Sequence, residues 1–410
     1  MHRVVVTGMA GLSPIGCDWP TVAENLKTMG TGIRFMKEWD VYDGLTTRLG
    51  GPIDDFEKPA HYSRKAVRSM GRVALMATRA TELALEDAGL LDDPWLRSGE
   101  VGVSYGSSTG SPMAIQDFGN MMSNYSTTGI TANTYLKMMA HTAPVNLGIF
   151  FGLRGRVHTT SSACTSGSQG IGYAYEAIRA GHQLAMIAGG AEELSATEAA
   201  VFDTLFATSI LNDQPTTTPK PFDKDRDGLV VGEGACTLIL EELGHAQARG
   251  AKVYAEIIGY GTNSDGAHIT QPNQETMAIA MQLALYDQDT DPDSIAYVSA
   301  HGTATDRGDV AESQATASVF GRRVPISSLK SYTGHTLGAC GALEAWITVQ
   351  MMHEGWFHPT LNLSEVDPEC GELDYIRDSV RKIDCDTVMS NNFAFGGINT
   401  SLIFRKISVD

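Results

Sequence analysis

The chain has 410 residues, with 48 Asp and Glu against 30 Lys and Arg, for a formal net charge of −18. That balance argues against a general nucleic-acid or anionic-membrane binder, and docking of an acidic partner would need a local basic patch. With 42% hydrophobic residues, 43 Gly and no apolar run of about 18 residues, the chain reads as globular, without a membrane span, and too long for one ordinary core.

The opening Met1-His-Arg-Val-Val-Val-Thr-Gly8 reads as a first strand, Val4–Val6, and not as a targeting segment. In chain order there follow a helical pattern at 73–87, a strand at 101–105, a helix at 173–180, and strands at 184–188, 236–240 and 253–258. A helix at 277–286, a strand at 295–299, a helix at 311–319, a strand at 324–327, a helix at 343–353 and strands at 387–390 and 400–404 complete the series. Near-continuous apolar strands suit a sheet covered on both faces, and their alternation with helices implies an α/β architecture. A faint repeat is visible: strand, Thr/Ser/Gly-rich turn and helix occur around Cys164 and again around 326–341. With strand entries near residues 3 and 253, the chain reads as two fused α/β halves, 1–250 and 251–410. The polar stretch 212–228 is a long loop inside one half, and loops of that length are often functional. Six cysteines, at 17, 164, 236, 340, 370 and 385, form no CxxC pair, which predicts a reducing, cytoplasmic setting.

Cys164 lies in Ser161-Ser-Ala-Cys-Thr-Ser-Gly167, between the extended stretch Arg156–Thr160 and a helical repeat through Ile171, Tyr175 and Ile178. A thiol at such a strand-to-helix elbow sits near a helix N-terminus, where free N–H groups favour a thiolate. A buried structural cysteine is the alternative. His301 ends a strand in Ser299-Ala-His-Gly-Thr-Ala-Thr305, with Gly302 giving backbone access, where open α/β sheets place ligands. Lys330 and His335 share the turn Ser328-Leu-Lys-Ser-Tyr-Thr-Gly-His335-Thr-Leu-Gly338-Ala-Cys-Gly341, whose glycines also suit tight helix packing. Phe393-Ala-Phe395-Gly-Gly-Ile398 reads either as a loop bringing N–H groups to a ligand or as a β-bulge. One Cys and two His at strand ends make an acyl-transfer site, with backbone N–H groups receiving the oxyanion. Metal binding is disfavoured, because neither His has Cys or carboxylate neighbours at zinc-ligand spacing.

These four segments together resemble the elongating, I/II-type β-ketoacyl-acyl carrier protein synthases of the thiolase-like condensing enzymes. The resemblance spans nearly the whole chain, including Ala188-Gly-Gly-Ala-Glu192 and Pro221-Phe-Asp-Lys-Asp-Arg-Asp-Gly228. It implies a thiolase-like fold of duplicated α/β halves in five layers, α-β-α-β-α. It implies that Cys164 takes the acyl chain from acyl carrier protein and that malonyl-carrier protein loses CO2 to give the attacking carbanion. His301 and His335 would stabilise the enolate, with Lys330 supporting them and Glu344 partnering Lys330. Backbone N–H groups of Cys164 and Phe395 would form the oxyanion hole, with Phe395 also gating the acyl pocket beside Phe393. Thr303, Thr305 and Thr270 would bind the pantetheine arm, Thr109 and Phe202 would line the acyl pocket, and Lys65 and Arg68 would dock the carrier. For the last pair a solvated helix face is the alternative. No cofactor is expected beyond the carrier's phosphopantetheine, and the resemblance implies a homodimer or a heterodimer with a similar chain.

A His at 335, where initiating synthases carry Asn, points to the elongating type, and Cys385 lacks the glycine-rich context of a thiolase's second cysteine. Ala304 and the residue after Thr305 depart from the family's usual Ser and Pro, and Asn392, Ala394 and Ile398 stand where Ser, Gly and Thr are usual. The expected function is decarboxylative condensation in fatty acid elongation. The alternative is a ketosynthase of a specialised type II polyketide or polyene pathway, paired with a chain-length-factor-like subunit.

Overall fold

The computed structural model describes residues 1–407. Strand Val4–Leu12 lies near the middle of an eleven-stranded sheet because its apolar run is buried on both faces. Outward from it on one side lie Gly234–Glu242, Ala185–Glu192, Val101–Gly106 and Val157–Thr159. On the other side come Ala255–Ser264, Ile398–Arg405, Thr387–Ala394, Tyr297–Ser299, Pro325–Ser327 and Asp374–Tyr375.

The two wings repeat one pairing pattern. From Val4–Leu12 outward the pairs run antiparallel, antiparallel, parallel, parallel. From Ala255–Ser264 outward the same sequence recurs through Ile398–Arg405, Thr387–Ala394, Tyr297–Ser299 and Pro325–Ser327. The wings join where Val4–Val6 pairs antiparallel with Ala255–Ile257. The faint sequence repeat is therefore a topological duplication.

Helices pack on both faces of each wing. Ser166–Arg179 and Cys340–Glu354 occupy corresponding places in the two wings and pack together at the centre, where Ile171, Tyr175, Leu343 and Trp346 join one core. Arg72–Asp87 covers the outer face of the first wing, and Gln274–Asp287 that of the second. The central helices approach closely because glycine permits it: a Cβ on Gly167 would lie 2.9 Å from Ala342 N, and one on Gly341 2.8 Å from Ser168 N. This is why the first central helix starts at Ser166, seven residues before the sequence pattern placed it. Its Gly/Ser-rich first turns are poor helix formers held by packing.

Every predicted strand and helix is present; most run longer than expected, whereas the strands expected at 295–299 and 324–327 are confined to Tyr297–Ser299 and Pro325–Ser327. Helices at Trp19–Thr28, Pro112–Asn124, Thr142–Phe151 and Ala196–Asp203 are additional. Among the described residues no helix is long and apolar enough to cross a membrane.

Candidate active site

Parallel strands aim their C-terminal ends, and the segments that follow them, at one place. After Val157–Thr159 the chain turns through Ala163–Thr165 into the helix at Ser166. Ala163 adopts φ +50° to make the elbow, and Leu337, with φ +46°, makes the matching elbow before Cys340–Glu354. A non-glycine residue in that region is strained, and such strain persists only where surrounding packing fixes it. Cys164 is thereby presented with its Sγ 2.9 Å from His335 Nε2.

The expectation of a thiolate is corrected here. Burial pushes the Cys164 thiol up to about 11, against the opposing pull of the Lys330 charge and of the Phe395 and Cys164 backbone N–H groups. Desolvation outweighs the donors. The same two N–H groups are the ones the resemblance named for the oxyanion hole, and both lie within reach of the sulfur.

His301 follows Tyr297–Ser299 through Ala300, and its backbone is tied down by a buried carboxylate: Glu312 accepts from His301 N at 2.6 Å and from Gly302 N at 2.7 Å. Burial raises Glu312 to about 8 despite those donors. Asp309 grips the next residues through Thr303 N and Ala304 N. The His335 backbone is held by Val230 and Gly232, at 2.7 and 2.9 Å. The imidazole rings of His301 and His335 are 5.1 Å apart, at 87°.

The hydrogen-bond network assigns both tautomers. Lys330 Nζ, an obligate donor, lies 3.2 Å from His301 Nδ1, so that nitrogen accepts and Nε2 carries the proton. Leu337 N donates to His335 Nδ1 at 3.3 Å, so His335 also carries its proton on Nε2, facing Cys164. Burial, and then the Lys330 charge, hold both rings well below the usual histidine pKa, so both are neutral. Burial disfavours the Lys330 ammonium, but Glu344, 2.5 Å away, together with Cys340 and Glu312, offsets it and holds the pKa above its ordinary value. Asn392 completes this cluster, donating to Glu344 Oε2 at 2.6 Å and lying 3.4 Å from His301 Nδ1.

Cys164, His301 and His335 open into a cavity of about 450 Å³, also lined by Phe202, Phe393 and Phe395. Thr270, Thr303 and Thr305 line the same cavity, with the Thr303 and Thr305 hydroxyls 2.9 Å apart. Phe395 occupies a hairpin turn between Thr387–Ala394 and Ile398–Arg405, where Ala394 pairs with Ile398 and Gly396 and Gly397 adopt φ +88° and +70°. The segment is thus a turn and not a bulge. Phe202 packs 5.2 Å from Phe395 and 6.4 Å from His335. Arg226 to Leu229, the end of the long polar loop, form part of the wall.

Three further expected residues, Thr109 named for the acyl pocket at a dimer interface and Lys65 and Arg68 named for carrier docking, lie on the surface of the chain. Thr109 is exposed and outside the cavity lining, with its hydroxyl 3.5 Å from Glu198. Lys65 and Arg68 are exposed on the turns before Arg72–Asp87, away from the cavity wall. Cys385 is buried in the central core, unpaired. Glu312 and Asn392 were not singled out as site residues. Nor was Glu192, which bridges the wings by accepting from Ser107, Ser108 N and Gly338 N. A buried carboxylate that accepts backbone N–H groups from distant segments has no local sequence signature.

One nitrogen from each His and the Cys164 sulfur lie within 4.8 Å of one another, a spacing that could hold a metal ion. Against this, both rings turn a protonated nitrogen toward the cavity, and the Lys330 charge repels a cation. The arrangement suits a nucleophilic sulfur beside two N–H donors in a buried pocket.

The family model described as "Beta-ketoacyl synthase, N-terminal domain" matches residues 1–246, and the one described as "Beta-ketoacyl synthase, C-terminal domain" matches 254–364. The chain belongs to the β-ketoacyl synthase family. This synthase is 38% identical to 3-oxoacyl-[acyl-carrier-protein] synthase 2 of Vibrio harveyi, with 99% of each chain covered. It is 36% identical to 3-oxoacyl-[acyl-carrier-protein] synthase 1 of Escherichia coli strain K12, covering 99% of this chain and 100% of that one. Among solved structures, a β-ketoacyl synthase from Burkholderia phymatum STM815 superposes with a TM-score of 0.98 at 60% identity, both chains fully covered. The ishigamide ketosynthase/chain length factor superposes at 0.91 with 30% identity, covering 99% of this chain and 100% of that one.

Proposed function

We propose that this synthase performs the decarboxylative Claisen condensation of a Cys164-bound acyl chain with malonyl-acyl carrier protein, giving 3-oxoacyl-acyl carrier protein in fatty acid elongation. The observation that carries this reading is the convergence of the Cys164 sulfur with two neutral imidazoles, each turning Nε2–H into one cavity.

In the first half-reaction the Cys164 sulfur attacks the acyl thioester carbonyl. The Cys164 and Phe395 N–H groups receive the oxyanion, the carrier's thiol leaves with the proton, and the acyl group stays on sulfur. Malonyl-carrier protein then enters past Thr270, Thr303 and Thr305. Its carboxylate departs as CO2, and the electron pair left behind becomes a thioester enolate whose oxygen accepts from His301 and His335. Two fixed donors in a water-poor site stabilise that charge, and holding both thioesters in line supplies proximity. The enolate carbon attacks the acyl-Cys carbonyl, a C–C bond forms, the C–S bond breaks, and the departing thiolate takes one proton from solvent, the proton that the loss of CO2 from a carboxylate consumes. The scheme draws on no resident cofactor. The six free thiols support a reducing, cytoplasmic setting.

His335→Asn tests the division of labour. It should retain much acyl transfer to Cys164 while losing malonyl decarboxylation; equal loss of both steps would contradict the role given to His335.

A specialised polyketide or polyene ketosynthase is the second reading, favoured by the likeness to the ishigamide ketosynthase/chain length factor. A panel of acyl-carrier substrates, read by product mass, separates the two. The edge strand Val157–Thr159 and exposed Met113, Met122, Tyr125 and Ile149 support a partner chain, the same or similar.

A further inference from the structure

The helix Ala196–Asp203 ends on a residue that disfavours it. Asp203 puts a carboxylate in the last turn, where the helix dipole opposes negative charge. The side chain is buried, and it turns away from its own helix to a segment 157 residues earlier in the chain. Oδ2 accepts from Thr46 N at 2.7 Å. Oδ1 accepts from Thr46 Oγ1 at 2.5 Å, from Thr47 N at 3.2 Å and from Thr208 Oγ1 at 2.9 Å. All four donors are uncharged. Burial raises the Asp203 pKa, but these donors more than offset it and hold the carboxyl below its ordinary value, so it is ionised. A second tie joins the same two segments. Asn212 Oδ1 accepts from Arg48 N at 2.7 Å, and Asn212 Nδ2 donates to the Thr46 carbonyl at 3.0 Å.

The helix so held is eight residues long, too short to be stable alone. Its first turn is fixed by the capping box of Ser195 and Glu198, and Asp203 fixes the last. Ala196, Ala199 and Phe202 recur every third residue and share one face. That face joins Cys164, Leu337 and Cys340 in a single apolar cluster. The Phe202 ring stands 6.4 Å from the His335 ring and 5.2 Å from the Phe395 ring. Along the helix from that ring, the same face carries only the methyl groups of Ala199 and Ala196.

We propose, resting on the condensation reading above, that Asp203 is a positioning residue. By tying the last turn of its helix to Thr46 and Thr47, it holds the Phe202 ring across the space beside Cys164 and so limits the length of acyl chain the sulfur accepts. Asp203 itself touches neither substrate nor reacting atoms. A long chain needs the ring to yield toward Ala199, and the clamp resists this by fixing the backbone on which the ring is carried.

The test reads chain-length selectivity, using hexanoyl- and decanoyl-loaded recombinant acyl carrier protein as donors. Each methylene that gains burial is worth about fourfold, and the two donors differ by four. In Asp203→Ala the decanoyl-to-hexanoyl ratio of kcat/KM should rise at least about tenfold over wild type. Asp203→Asn keeps one acceptor oxygen and should change the ratio by less than about threefold. Decarboxylation of malonyl-carrier protein without an acyl donor should stay within about threefold, because His301, His335 and Lys330 keep their partners. Should Asp203→Ala fail to fold, Thr46→Val/Thr208→Val decides the question, since it removes only two hydroxyl donors to the same carboxylate and should shift the ratio the same way. An unchanged ratio overturns the proposal. So does an equal fall in hexanoyl transfer, decanoyl transfer and decarboxylation, which marks a purely structural role. If wild type acylates Cys164 from neither donor, the condensation reading itself fails, a result distinct from unaltered selectivity.

Discussion

Replacing Lys330 by Met separates the two roles of the buried ammonium. Lys330 is 1% exposed, 2.5 Å from Glu344 and 3.2 Å from His301 Nδ1. Unit charges at 2.5 Å attract by roughly 6–7 kcal/mol at an effective dielectric near 20, and burying each ion costs several kcal/mol. The pair's net contribution to stability is therefore small, but removing one partner is not neutral. Lys330→Met strands Glu344 in the core with Asn392 as its remaining donor, and the expected loss is about 3–5 kcal/mol. Lys330→Met/Glu344→Met should recover to within about 1–2 kcal/mol of wild type. Urea midpoints followed by Trp fluorescence, with slopes compared, measure this.

Activity should not recover with stability. Without the Lys330 donor, His301 can place its proton on Nδ1 and turn a lone pair toward the cavity. Malonyl decarboxylation should fall about 10²-fold or more in both variants, the effect of losing one preorganised donor. The sign of the pH effect is also fixed. Burial is the largest cause of the depressed His301 pKa and stays, but the Lys330 contribution disappears. The pKa rises, and the acidic limb of decarboxylation moves to higher pH. If the single variant is as stable as the double, or keeps wild-type decarboxylation, the network does not work as described.

Alkylation of Cys164 by iodoacetamide should rise about tenfold per pH unit from about pH 7 to 9.5, since a thiol held near 11 is thiolate in only about one part in 10⁴ at neutrality; a rate that levels off below about pH 8 would contradict the burial argument. Asn392→Leu should lower stability by about 1.5–3 kcal/mol through the lost charge-assisted bond to Glu344. It should also reduce decarboxylation about tenfold while acyl transfer stays within about threefold; an equal change in both steps would remove Asn392 from the positioning of His301.

Much of this architecture was legible in the chain. The strands around Val101–Gly106 and Ala185–Glu192 announce themselves as near-continuous apolar runs because both faces are covered. The helix Ala196–Asp203 was missed because its Ala, Val and Phe residues leave no clear apolar stripe. Its start was nonetheless signalled by Ser195 and Glu198, which form a capping box. Cys164, His301, Lys330 and His335 could be found because each sits in a glycine-marked turn after a strand. The protonation state of the thiol could not. A helix N-terminus is a local feature that favours thiolate, whereas the burial that outweighs it comes from Phe202, Phe395, Leu337 and Cys340, brought in from elsewhere in the fold. Asn392 reads in sequence only as a departure from the family's usual Ser, and it is the packing of Cys340–Glu354 on Thr387–Ala394 within the second wing that places it beside Glu344.

The central claim is that one sulfur and two imidazoles share a single reaction. Intact-protein and peptide mass spectrometry test it directly. After hexanoyl-carrier protein is added, the hexanoyl mass should appear on Cys164 alone; after malonyl-carrier protein follows, that mass should vanish as 3-oxooctanoyl-carrier protein and one CO2 appear in equal amounts. A hexanoyl group on any other residue, or one that persists on Cys164 while malonyl-carrier protein is consumed, would contradict the account.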